Sequence, residues 1–80
     1  MARFLLLHRH VPEHCASSWA AWRGHSSPLR GTPASCTCVH GGHRVWWEVE
    51  APSAEAALAL LPSYVAGSSA AHAVRAVVTP

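Results

Sequence analysis

The sequence predicts a small α+β protein in which one antiparallel four-stranded sheet carries two helices on one face. Three observations predict this class: an apolar run near the N-terminus, two alternating runs on either side of Gly41-Gly42, and two helical patterns between the strands. The chain has 80 residues, which is enough for a single domain over residues 1–80 with one thin core.

The first two elements are a strand over residues 2–10 and a helix over residues 12–23. Alternation along the strand separates two faces, and because both begin with apolar residues the sequence leaves open which one is buried. One face carries Phe4, Leu6, His8 and His10; the other carries Arg3, Leu5, Leu7 and Arg9. In the helix, Cys15, Trp19 and Trp22 recur at i, i+4 and i+7, a spacing that predicts a core-facing stripe.

The stretch over residues 35–50 predicts a β-hairpin. Gly41-Gly42 can supply the positive φ angles of a tight two-residue turn. Such a turn pairs His40 with His43, Cys38 with Val45 and Cys36 with Trp47. One face of the hairpin then carries Cys36, Cys38, His40, His43, Val45, Trp47 and Val49.

The remaining elements are a second helix and a last strand. Ser53 is a favourable N-cap, and Pro62 predicts an interruption before the helical pattern ends at Gly67. A valine-rich strand is expected over residues 71–79. The order strand, helix, strand, strand, helix, strand predicts a ferredoxin-like plait, and right-handed crossovers give the sheet order 4-1-3-2.

Three segments together resemble small bacterial members of the dimeric α+β barrel superfamily. They are Gly41–Glu50, the helical segment Ser53–Pro62, and the closing valine strand. The resemblance implies a homodimer whose two sheets face each other, with a pocket between helices and sheet. No catalytic residue of that superfamily can be matched to this sequence.

The amino-acid composition limits the binding partners and the kinds of catalysis that we expect of this protein. The net charge is +2 and the few Arg are scattered, so we expect no nucleic-acid partner. Three Cys fit a disulfide framework poorly and favour a reduced, cytoplasmic setting. The apolar run Phe4–Leu7 is too short to span a membrane. Lys and Asp are absent, which excludes Schiff-base lysine chemistry and Asp–His dyads.

The predicted topology places six of the seven His at one edge of the sheet, where strands 1 and 2 end and strands 3 and 4 begin. Imidazole and thiolate ligands suit borderline transition metals. The sequence therefore predicts a site for Ni, Cu or Zn. Its candidate ligands are His8, His10, His40, His43, Cys38 and His72, with His14 nearby.

Alternatives to the metal site remain open. Cys36 and Cys38 on such a strand are more often small residues that pack on Trp47 and Val45 than metal ligands, and Cys15 is expected to be a core residue. A second hypothesis is a cofactor-independent isomerase, cyclase or monooxygenase-like enzyme acting on a small aromatic or polyketide-like ligand. In it, His40 or His43 is the general base and Arg44 holds an anionic oxygen. A third is a dimeric accessory protein with no chemistry of its own.

Overall fold

The structure, a computed structural model, describes all residues from 1 to 80. Its sheet has four strands: β1 (Ala2–Arg9), β2 (Ser35–Cys36), β3 (Arg44–Ala51) and β4 (Ser69–Val74). Their order across the sheet is β2-β3-β1-β4, and every neighbouring pair is antiparallel. β1 and β3 form the centre of the sheet, and in both strands buried residues alternate with more exposed ones.

Three short helices connect the strands. They are α1 (Cys15–Ala20), α2 (Ala54–Leu58) and α3 (Ser63–Ala66), and two 3₁₀ turns cover Pro12–His14 and Cys38–His40. The predicted cap of α2 is confirmed, since the Ser53 hydroxyl accepts a hydrogen bond of 3.1 Å from the Ala56 amide. Pro62 separates α2 from α3, as its missing amide hydrogen requires. No helix is long and apolar enough to cross a membrane.

The core lies on one face of the sheet. Phe4, Leu6 and His8 are the buried face of β1, which settles the choice that the sequence left open. Side chains from β3 and from the second helical segment complete the core: Val45, Trp47, Val49, Ala51, Ala57, Leu61 and Val65. Trp22 packs on Trp47 with ring centroids 5.6 Å apart, whereas Trp19, predicted to be core, is 42% exposed.

The predicted ferredoxin-like plait is wrong for this structure, although 4-1-3-2 describes the same strand order counted from the opposite edge. The plait needs two full helices and four full strands. Here β2 has two residues, α1 has six, and the second helix is broken into pieces of five and four residues. Pro62 breaks that second helix, and Gly24 adopts a positive φ of 75° soon after the end of α1.

The hairpin is also different from the predicted one. Cys36 pairs with Val45 rather than with Trp47, and the chain between Cys38 and His43 forms a 3₁₀ turn and a wide loop. Gly41 has the positive φ expected of a turn glycine, at 85°, but the second positive φ, 48°, belongs to His43 and not to Gly42. The tight Gly-Gly turn is therefore replaced by a longer connection.

The other face of the sheet is open. Leu5, Leu7 and Trp46 lie there, partly exposed, and the last strand ends at Val74, before the exposed Val77 and Val78. A second copy of the chain on this face would give the expected homodimer, which stays a prediction.

Replacing Leu6 by Ala tests which face holds the core. Leu6 is fully buried, so Leu6→Ala should lower the free energy of unfolding by about 2–5 kcal/mol. Leu7→Ala, one residue along the strand on the open face, is the matched control and should cost less than about 1 kcal/mol. Denaturant unfolding measures both, and an equal loss at Leu7 would show that the open face is covered in solution.

Candidate metal centre

Two loops meet at the edge where β1 ends and β3 begins. One runs from His10 through the first 3₁₀ turn to Cys15, and the other runs from Cys38 through the second 3₁₀ turn to His43. The His10 amide donates a 3.2 Å hydrogen bond to the His43 carbonyl, which continues the β1–β3 ladder beyond the strands. The backbone ladder thus holds the two loops side by side.

Four side chains of these loops converge. His10, Cys15, Cys38 and His43 each offer one ligand atom, and the four atoms lie within 4.8 Å of one another. All four residues are half-buried. This His/Cys cluster can hold a metal ion, and two sulfur and two nitrogen donors form a set typical of structural zinc.

Two separations within the cluster are close to those around a tetrahedral ion. Zn–N bonds of about 2.0 Å and Zn–S bonds of about 2.3 Å give tetrahedral edges of about 3.3 Å between nitrogens and about 3.5 Å between nitrogen and sulfur. His10 Nε2 lies 3.4 Å from His43 Nδ1 and 3.6 Å from Cys38 Sγ. These two separations are close to coordination-shell edges, and the four donor atoms would draw closer together from within 4.8 Å on binding an ion.

A hydrogen-bond chain orients the His10 ring. His8 Nδ1 lies 3.1 Å from the Val65 carbonyl, which only accepts, so this nitrogen carries the proton. His8 Nε2 is then an acceptor, and His10 Nδ1 donates to it over 3.0 Å. His10 Nε2 is left with a lone pair directed at Cys38 and His43, as a metal ligand requires.

The loop that carries Cys38 and His43 is fixed by Thr37. Its hydroxyl accepts a 3.1 Å hydrogen bond from the Arg44 amide, and its amide donates to the Arg44 carbonyl over 2.9 Å. A Cβ atom at Gly42 would collide with the Thr37 side chain, so only glycine fits there. The next residue, His43, has a left-handed backbone conformation with φ 48°, and its side chain belongs to the cluster.

Burial and neighbouring groups shift three pKa values, two in the cluster and one at His8 behind it. Desolvation, followed by the neighbouring His10, lowers the pKa of His8. Desolvation, followed by His43 and His14, lowers the pKa of His10. Desolvation, together with the neighbouring thiols of Cys36 and Cys15, raises the pKa of the Cys38 thiol to about 12. Both imidazoles are therefore held neutral near pH 7, the form that binds metals.

The structure brings together some of the predicted site residues and separates others. His10, His43 and Cys38 lie in the cluster, and His8 lies directly behind His10. His40 is exposed on its 3₁₀ turn and outside the cluster. His72 pairs with Leu5 in mid-strand and is exposed. His40 and His72 are displaced because the hairpin has a wide loop and β4 starts at Ser69, two residues earlier than predicted.

Cys15 is the cluster residue that sequence reasoning missed, because it was assigned to the helix core. A signal for it exists in the spacing. Four residues separate His10 from Cys15, and four separate Cys38 from His43, so the chain carries the mirrored pattern His-x₄-Cys and Cys-x₄-His. Each pair encloses one 3₁₀ turn.

A cavity of about 370 Å³ adjoins the imidazole side of the cluster, and most of the residues that line it are polar. The enzyme hypothesis requires a closed apolar pocket, which this cavity does not provide. Of its proposed catalytic residues, His43 and Arg44 contribute to the wall and His40 does not. The catalytic roles stay predictions.

Comparison with protein-family models, with curated proteins and with solved structures finds no match for this chain. The resemblance to the dimeric α+β barrel superfamily therefore stays untested, and the site is interpreted from its geometry.

Acid should destabilise the metal-free protein. Because the pKa values of His8 and His10 are lower in the folded state than the unfolded value near 6.5, the unfolded chain binds more protons at low pH. Their stabilising contribution is complete above about pH 6.5 and is lost as the pH falls through the lowered folded values. We expect the melting temperature in chelator to fall from pH 7 to pH 5.

The matched variants are His10→Gln, which should flatten this pH dependence, and His72→Gln, which removes an exposed His and should leave it unchanged. A wild-type melting temperature that stays constant over the same pH range would contradict the assignment of neutral, buried imidazoles.

Proposed function

We propose that this protein binds one zinc ion through the thiolates of Cys15 and Cys38 and the imidazoles of His10 and His43. The observation that carries the proposal is the convergence of the four donor atoms within 4.8 Å of one another, with two separations, 3.4 and 3.6 Å, close to the edges of a zinc tetrahedron. The chemistry of the donors supports zinc over Ni or Cu(II), since two thiolates and two imidazoles in a tetrahedron are typical of zinc.

Four protein ligands leave no coordination position for a substrate, which is the arrangement of structural zinc sites. The ion would join the end of β1, the start of α1 and the β2–β3 loop. A chain with so few buried residues gains from such a cross-link, because metal binding adds directly to the free energy of folding. The proposed role of the ion is therefore to hold this edge of the fold together.

The metal test uses untagged protein titrated with Zn²⁺ and, for its visible spectrum, with Co²⁺. We expect one ion per chain, thiolate-to-cobalt charge-transfer bands and a higher melting temperature. Cys15→Ser, Cys38→Ser and His43→Ala each remove a ligand. Each should weaken binding by more than about 100-fold, since loss of an outer partner alone costs about 10–100-fold.

Cys36→Ser and His40→Ala are the matched controls, because both residues are exposed and lie outside the cluster. Their affinities should equal that of the wild type. If the controls lose zinc as the ligand variants do, or if no variant and no wild-type protein binds it, the assignment fails.

Zinc binding should also release protons. The raised pKa of the Cys38 thiol keeps it protonated at neutral pH, and a metal ligand must be a thiolate. Calorimetric titrations at pH 7 in buffers of different ionisation enthalpy count the released protons. Cys38→Ser should release one proton fewer than the wild type, and an unchanged count would show that Cys38 is not a ligand.

A further inference from the structure

The cavity beside the cluster has chemistry that the metal does not use. It lies between the end of β1, helix α1 and helix α3, and its wall contains His14, Ser18 and Tyr64 in addition to the imidazoles of the cluster. Cys15 and Cys38 do not contribute to the wall, so the cavity opens on the side of the cluster away from its thiols. A volume of about 370 Å³ accommodates a small molecule.

Ser18 points to a ligand in this cavity. Its side chain is only 4% exposed, and its hydroxyl has no hydrogen-bond partner in the structure. It is the only buried side-chain polar atom in the chain without a partner. Buried hydroxyls are nearly always paired, because leaving one unpaired loses the hydrogen bonds it would make in water.

The residues that line the cavity indicate the charge of the ligand that it would bind. No Asp or Glu contributes to it, whereas four His and two Arg do. The alternation of side chains along β1 and β3 places Arg9 and Arg44 on the open face of the sheet. Their charge therefore acts on the cavity only at a distance. Ser18 and Tyr64 each offer a hydroxyl hydrogen. The cavity thus has no carboxylate in its wall, lies near two arginine charges and offers hydroxyl donors, which favours an anion with acceptor oxygens.

We propose that this cavity binds a small oxyanion, a carboxylate or a phosphate, whose oxygen accepts a hydrogen bond from the Ser18 hydroxyl. Tyr64, a half-exposed residue of the same wall, donates a second hydrogen bond. The anion lies beside His10 and His43 without occupying a coordination position. The site does not require the ion, so it can be tested in zinc-loaded and in chelator-treated protein.

The test is an NMR titration of ¹⁵N-labelled, zinc-loaded protein with sodium phosphate and, separately, with sodium acetate, with sodium chloride at equal ionic strength as the reference. We expect saturable shifts at Ser18, His14 and Tyr64 with at least one of the two anions. The two arms identify which oxyanion fits. If zinc does not bind at all, the same titration on the chelator-treated protein still tests the anion site.

Ser18→Ala is the diagnostic variant and Ser17→Ala, its exposed neighbour in α1, is the matched control. Ser18→Ala should weaken anion binding about tenfold or more. It should also leave the melting temperature of the anion-free protein equal or higher, because the unpaired hydroxyl is gone. Ser17→Ala should change neither the affinity nor the sites of the shifts.

Three outcomes would overturn the proposal: chloride producing the same shifts, Ser18→Ala binding as tightly as the wild type, or the visible spectrum of the cobalt-loaded protein changing on addition of the anion. The last would place the anion on the metal rather than in the cavity.

Discussion

The hydrogen bond from His8 to the Val65 carbonyl is the contact on which the edge of the sheet depends. It joins the centre of the core to the cluster, because His8 is 2% exposed and belongs to the same strand face as Phe4 and Leu6. When one ring nitrogen of a neutral histidine donates its proton to a carbonyl, the other ring nitrogen can only accept a hydrogen bond. The tautomer of His10, and with it the direction of its lone pair, is therefore decided inside the core and not at the surface.

The short helices explain why the cluster matters for the fold. Helices of four to six residues have little stability of their own and persist only where packing or cross-links hold them. α2 and α3 are held by Ala57, Leu61 and Val65 in the core. α1 contributes Ser18 as its single buried residue, so it has no buried apolar face of its own to hold it in place. A bound ion would supply what the packing of α1 lacks.

Periodicity was sufficient to predict the central strands, the Ser53 cap and the Pro62 interruption, because each follows from local chemistry. β2 and β3 pair antiparallel as predicted, but the tight turn and its register were wrong, because a wide turn and a tight turn both place glycines at their tips. Only the contact between Gly42 and Thr37 distinguishes them. Cys15 was missed because the i, i+4, i+7 pattern does not show where the helix begins. Helix α1 begins at Cys15 itself, so this residue is not buried in the core. The convergence of His8, His10 and His43 could be predicted from the antiparallel arrangement alone. The positions of His40 and His72 depend on the turn geometry and the strand register, which the sequence pattern does not specify.

The mirrored order of the four cluster residues has a topological consequence. The chain leaves the cluster at Cys15 and returns to it at Cys38. The segment between them therefore begins and ends at the same place in the structure. It includes the turns at Gly24, Gly31 and Pro33. If the proposed ion joined Cys15 to Cys38, a backbone break in the segment between them would leave both fragments attached to the sheet. Insertions in this segment would lengthen a closed ring without altering the strands on either side.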